Sequence, residues 1–288
     1  MNNEKKLQKM FIIFTFIWSF IFWGLSIFLS LRNNIELLQN ANLLNAILQG
    51  RLDEKLRIAS TLSLLAGYGP LLGAVFILVF DPSSKKYFKN SFKLDTPLKY
   101  FLQIIALFLF ITIIPSIALF FTKNLGVSPT WSMIIFFLLF FVYQFFTAAT
   151  EEIGWRGFLL PSMLKDKTPW QASVNIGIIW ALWHTPIVLY IFYSQGLSIP
   201  LILVSFIGFI AGTIAMSTVH TYYYLKTRNI LFNMFIHALA NTLPMFIGMI
   251  FSSSYVLSVA VQVLLWIFVI IITNTNKALF NQIQKISY

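Results

Sequence analysis

Residues 131–150 read WSMIIFFLLFFVYQFFTAAT, twenty positions without a charge, and the next six are Glu151-Glu152-Ile153-Gly154-Trp155-Arg156. Twenty apolar residues are what a helix needs to cross a bilayer's hydrocarbon, at ~1.5 Å per residue. Working outward, comparable apolar runs occupy about 10–31, 58–80, 98–121, 172–193, 198–220, 230–251 and 254–273. Eight spans follow. The expected fold class is an all-α polytopic membrane helix bundle, one integral membrane domain over 1–288. The first run is too long for a signal peptide's apolar region and lacks a small-residue cleavage site, so it reads as a retained span. Residues 32–57 carry mixed charge and predict a surface or interfacial helix. Tight turns are expected at Ser194–Leu197 and around Ser252–Ser254.

Composition supports the bilayer as the solvent. Hydrophobic residues make up 58% and charged residues 10%, against about 25% charged in soluble domains. Mean hydropathy is +0.81. There is no cysteine, which excludes disulfides, thiolate metal sites and a cysteine nucleophile. The net charge of +11 reads as the positive-inside bias of membrane proteins, not as a nucleic-acid surface. With the N-terminus in the cytoplasm, inside segments hold 15 of the 20 Lys and Arg, leaving Arg32, Arg51, Lys55, Arg57 and Lys123 outside. A multi-pass protein of the cell membrane with both termini cytoplasmic is expected.

The glutamates stand out against this background. After Asp166 the chain has no Asp or Glu. Ionisable groups at membrane depth are costly and read as functional, with partners to be found. Arg156 is the i+4 partner for Glu152, which leaves Glu151 freer. Gln144 lies seven residues before Glu151, on nearly the same face. His184 falls within the fifth span, one turn after Trp180. Asn233, His237 and Asn241 form one stripe of the seventh. These groups are expected to converge on a buried polar site facing the cytoplasm, ~10–20 Å from the cytoplasmic helix ends at ~1.5 Å per residue. His220 matches no such pattern and reads as a packing residue. Trp155 and Trp183 read as interfacial anchors. Pro186 and Pro244 each free a carbonyl one turn back.

Three short patterns then carry a resemblance. Glu151-Glu152-x-x-x-Arg156, Trp180-x-x-x-His184 and His237-x-x-x-Asn241 resemble, in order and approximate spacing, the three motifs of the CPBP family (CAAX protease and bacteriocin-processing, or Abi). Trp180 stands where the family's second motif has Phe. The resemblance covers about 130–250, which it makes the catalytic core. It implies an intramembrane endopeptidase of the type II CAAX prenyl protease kind, acting on membrane-associated peptides or proteins. Glu151 would be the general base and Glu152 its support. His184 would hold the water, and His237 and Asn241 would steady the oxyanion, with Arg156, Trp180, Gln144 and Asn233 in support. The family is commonly described as metalloproteases, and Zn2+ on His184, His237 and Glu151 is the cofactor expected; the donor set also allows a metal-free glutamate mechanism. Two other classes stay open: an ion-coupled transporter, and a bacteriocin-immunity or scaffold protein of the same family. Other intramembrane protease chemistries lack their residues, since there is no HExxH, no Asp within a span and no Gly-x-Ser-x-Gly.

Overall fold

The computed structural model describes residues 2–89, 91–120, 130–251 and 255–283. Among them there is no strand. The helices are α1 (Asn2–Asn33), α2 (Asn40–Leu48), α3 (Glu54–Gly67), α4 (Gly69–Phe80), α5 (Lys85–Phe88), α6 (Leu98–Phe120) and α7 (Trp131–Phe146). They continue with α8 (Glu151–Gly154), α9 (Leu160–Met163), α10 (Pro169–Trp183), α11 (Thr185–Ser194), α12 (Ile199–Thr227), α13 (Ile230–Phe251), α14 (Tyr255–Thr275) and α15 (Lys277–Asn281). Among the described residues six helical stretches are long and apolar enough to cross a membrane, or eight if each of two bent pairs is one span. The protein is an all-α polytopic bundle, as expected from the run lengths.

The runs at 58–80 and 172–193 differ from straight spans. The first is α3 and α4, bent by 50°; the second is α10 and α11, bent by 55°. The second bend falls at His184, two residues before Pro186, whose ring cannot continue the α10 hydrogen-bond ladder. The fourth run also extends past its expected end. A helical stretch from Trp131 to Met163 carries the glutamates inside it. The turn at 194–197 is present: Gly196 takes φ +72°, and the Leu197 N–H closes onto the Phe192 carbonyl at 3.2 Å, a helix-ending arrangement that glycine favours. Ser252–Ser254, Lys123 and Lys285 lie outside the described residues.

The two ends of the bundle are tied differently. At one end Glu4 of α1 meets Lys165, Lys86 at 3.5 Å and the Tyr87 hydroxyl at 2.5 Å. Asn229 donates to the Lys93 carbonyl at 2.5 Å, and the Ile230 N–H to the Ser91 carbonyl. At the other end Ser30 bonds the Tyr190 hydroxyl at 2.7 Å, and the Leu37 N–H donates to the same oxygen at 3.1 Å. Residues 35–39 form no helix and lead into α2, with Gln39 in extended backbone at its start.

Small residues let helices close around the motif segment. A Cβ on Gly154 would fall 2.3 Å from the Pro70 carbonyl oxygen, and one on Gly177 2.5 Å from the Ile214 Cα. Gly154→Ala must therefore push α8 off α4, an overpacking cost of about 1–3 kcal/mol. A lowered midpoint in thermal unfolding of detergent-solubilised protein checks this; an unchanged midpoint refutes the contact.

Candidate active site

The local path of the chain places both glutamates. α7 stops at Thr147, whose backbone leaves the helical region (φ −112°, ψ −91°). A 3-10 turn over Ala148–Thr150 leads into α8, and a π-turn over Trp155–Leu159 follows. π-turns insert an extra residue into a helix and are frequent at functional sites. Residues 154–164 are all buried. Trp155 and Trp183 are each fully buried, their rings 5.9 Å apart, so they pack the site from within; the expected interfacial anchoring is not what they do.

Glu151 is 3% exposed and held by indoles, not by a cation. Its Oε2 accepts from Trp180 Nε1 at 2.7 Å and from Trp155 Nε1 at 3.4 Å. Its Oε1 faces His184 Nε2 at 3.9 Å. His184 sits at the α10–α11 bend, with Nδ1 3.1 Å from the Trp180 carbonyl. A carbonyl only accepts, so Nδ1 carries the hydrogen and the neutral ring turns its Nε2 lone pair toward Glu151. Trp180 thus serves twice, through its indole and through its backbone.

Glu152 points the other way, into a buried network. Its carboxylate lies 3.0 Å from Arg156 Nη1, both side chains being fully buried, so the i+4 pair is present. His237 Nδ1 is 2.9 Å from Glu152 Oε1, and His220 Nδ1 is 3.6 Å from Oε2. His220 Nδ1 also lies 3.0 Å from the Asn233 Oδ1, and Asn233 donates to the Asn229 carbonyl at 2.9 Å. Arg156 packs its guanidinium over the Trp180 ring, 5.3 Å from the centroid. His220, fully buried, therefore stands beside Glu152 instead of in general packing. The available signal was the run of small polar residues on its helix, Thr213, Ser217 and Thr221, at four-residue steps.

A cavity of about 590 Å³ meets this arrangement. Glu151, His184, His237 and Asn241 line it; Glu152, Arg156, His220 and Asn233 do not. Asn241 donates to Gln144 Oε1 at 2.9 Å, and Gln144 Nε2 donates to Asn40 Oδ1 at 3.4 Å. The two bonds agree on which end of the Gln144 amide is which. Asn40, at φ +50°, also lines the cavity. It lies in the interfacial segment and carried no signal in the sequence. Asn233 shares a helix stripe with His237 and Asn241, yet serves His220 and not the cavity.

The trio of His and carboxylate donor atoms lying within 4.8 Å of one another, among the described residues, is Glu152, His220 and His237. It differs from the expected set of Glu151, His184 and His237, which does not gather that closely. By distance the observed trio could hold an ion. Its chemistry fits poorly: the carboxylate is already paired with a buried guanidinium, and the ring nitrogens facing it are engaged with Glu152 and Asn233. A cation there would sit against Arg156 in a medium that screens little.

Residues 130–243 match the family described as type II CAAX prenyl endopeptidase, Rce1-like. A 68-residue stretch is 32% identical to CAAX prenyl protease 2 of Methanococcus maripaludis, covering 24% of this chain and 23% of that relative. The chain thus spans under a quarter of the curated relative's length in the match.

Proposed function

Since residues 130–243 resemble the type II CAAX prenyl endopeptidase family, Rce1-like, we propose that the protein is an intramembrane endopeptidase whose general base is Glu151. The observation that carries the reading is the 3.9 Å gap between Glu151 Oε1 and His184 Nε2 on the cavity wall. A water spanning it donates one hydrogen to each. As that water attacks the scissile carbonyl, Glu151 takes its proton and later passes it to the leaving amine nitrogen. The indoles on Oε2 keep Oε1 aimed at the water throughout. Acid–base assistance of this kind supplies about 10²–10⁴-fold in rate.

The oxyanion falls to His237 and Asn241. Glu152 holds His237 by Nδ1, so Nε2 is the ring atom left for the cavity. When Nε2 also carries a proton, the carboxylate behind the ring offsets its charge. Asn241 spends one N–H on Gln144 and keeps the second for the oxyanion. Oxyanion donors aimed in advance contribute about 10²–10³-fold each. Gln144, Trp180, Asn233 and His220 act through these groups as positioning residues. Residues 130–250 form the catalytic core, and the substrate is a membrane-associated peptide or protein.

The donor chemistry favours hydrolysis by glutamate-activated water, with Glu152 serving Arg156 and His237 instead of an ion. Peptide cleavage by the purified protein is therefore expected to survive 1,10-phenanthroline, and elemental analysis should find substoichiometric zinc. Loss of activity that zinc restores would overturn the metal-free assignment.

The carboxamide chain gives a separate expectation. Gln144→Leu removes the acceptor that fixes Asn241, so kcat should fall about 10-fold, a fraction of a full oxyanion donor's worth, with KM little changed. Equal losses in kcat and in folded protein would assign Gln144 to stability alone. The reading as a whole is tested by turnover of the Glu151→Gln variant.

A further inference from the structure

The cavity has a direction. Every helix that lines it does so on one side of the glutamates. On α7 the lining residues Phe140, Tyr143 and Thr147 all precede Glu151; on α13, Asn241, Pro244 and Met245 follow His237. The far rim is made by Gln39 and Asn40, at the end where α1 finishes and α11 finishes. Toward the opposite end the path is closed: Glu152, Arg156, His220 and Asn233 are fully buried, and Trp155–Leu164 fill the space beyond them. This differs from the expected site open on the lysine-rich side.

The closed end is the basic one. Among the described residues, segments 4–9, 81–99, 165–167, 226–228 and 277 carry thirteen Lys and Arg against four Asp and Glu. Salt bridges and hydrogen bonds join the first three of these segments, and Asn229 beside 226–228, at one end of the bundle. The rim end, 32–57, carries four basic and three acidic residues. By the positive-inside bias the lysine-rich end is cytoplasmic, so the rim faces away from the cytoplasm.

We propose that substrate reaches Glu151 from the non-cytoplasmic side, and that the substrates are membrane-associated peptides whose cleaved bond lies in or beyond the outer half of the bilayer. The substrate class rests on the endopeptidase reading; the direction of access does not. The polar groups between rim and base suit an extended main chain. Gln39 and Ser63 pair at 3.2 Å, and Asn40, Gln144 and Asn241 continue toward the site. Carboxamides donate and accept, as peptide groups require. Much of the remaining wall is apolar, including Phe108, Ile111, Phe140 and Leu265, with Tyr143, Thr147, Thr213 and Gln262 between them, which suits a substrate delivered from lipid.

The chain has no cysteine, so single cysteines report access without background. Gln39→Cys and Asn40→Cys mark the rim; Lys86→Cys and Lys167→Cys mark the basic end. A charged, membrane-impermeant maleimide is applied to intact bacterial cells and to inverted vesicles, with detergent-exposed protein as the reference for folding and reactivity. Rim cysteines should label in intact cells, and basic-end cysteines only in inverted vesicles. Rim labelling confined to inverted vesicles overturns the proposal, as does basic-end labelling in intact cells. Peptides in the medium and in the cytosol are then compared between wild-type and Glu151→Gln cells. Fragments lost from the medium support the substrate class, and fragments lost only from the cytosol overturn it. Rim labelling from outside with no Glu151-dependent fragments in either fraction rejects the endopeptidase reading and leaves the direction of access standing.

Discussion

Replacing Glu151 by Gln should lower kcat by at least about 10²–10⁴-fold, the usual contribution of a positioned base, with KM nearly unchanged. Glutamine has almost the shape of the carboxylate. Its Oε1 can still accept from the Trp180 and Trp155 indoles, so the local packing survives. What is lost is the ability to take a proton from water at the 3.9 Å gap to His184. The measurement is turnover of a peptide first identified from wild-type cells, using purified protein in lipid vesicles. His184→Ala should fall in the same direction, since it removes the second anchor of the water. Wild-type turnover in Glu151→Gln would end the assignment of the base, and with it the mechanism.

The largest stability effect is expected at Arg156. Its guanidinium and the Glu152 carboxylate are both 0% exposed, 3.0 Å apart. Arg156→Ala leaves that carboxylate buried with only imidazoles beside it. Breaking a buried pair from one side costs about 3–5 kcal/mol, because the remaining charge stays desolvated. The expected result is a large drop in the unfolding midpoint and little folded protein in membranes. Glu152→Gln with Arg156→Met should recover much of the loss, because replacing both partners removes both desolvation costs. Activity need not return in the double variant, since His237 would lose the carboxylate that orients it. A single Arg156→Ala variant as stable as wild type would show that the pair contributes only to the site.

The bundle was legible because apolar run length is a direct physical requirement of the bilayer. All eight runs have helical counterparts, two of them bent. The bends were not legible, since Pro186 permits a kink but tertiary packing decides it. Within the site, i+4 spacing gave the Glu152–Arg156 pair, and one-turn spacing put Trp180 against His184. It could not show that Trp180 would reach across to Glu151, or that His220 would join Glu152. Those contacts join α8, α10, α12 and α13, and no local pattern encodes which helices meet. Asn40 was the least legible, since it sits in a polar segment that reads as surface. The direction of the cavity escaped for the same reason. Charge bias gives only an expected cytoplasmic end for each span, and packing alone shows which side of the glutamates is filled.

The indole clamp on Glu151 has an optical consequence. Two tryptophan N–H groups end on one carboxylate oxygen, and the emission of an indole responds to charge and hydrogen bonding at its nitrogen. Whatever changes the charge on Glu151, whether a proton or the neutral amide of Glu151→Gln, changes the field at both rings. With Trp155 and Trp180 kept and the other six tryptophans replaced by phenylalanine, the fluorescence of the resting protein would become a label-free gauge of its own base.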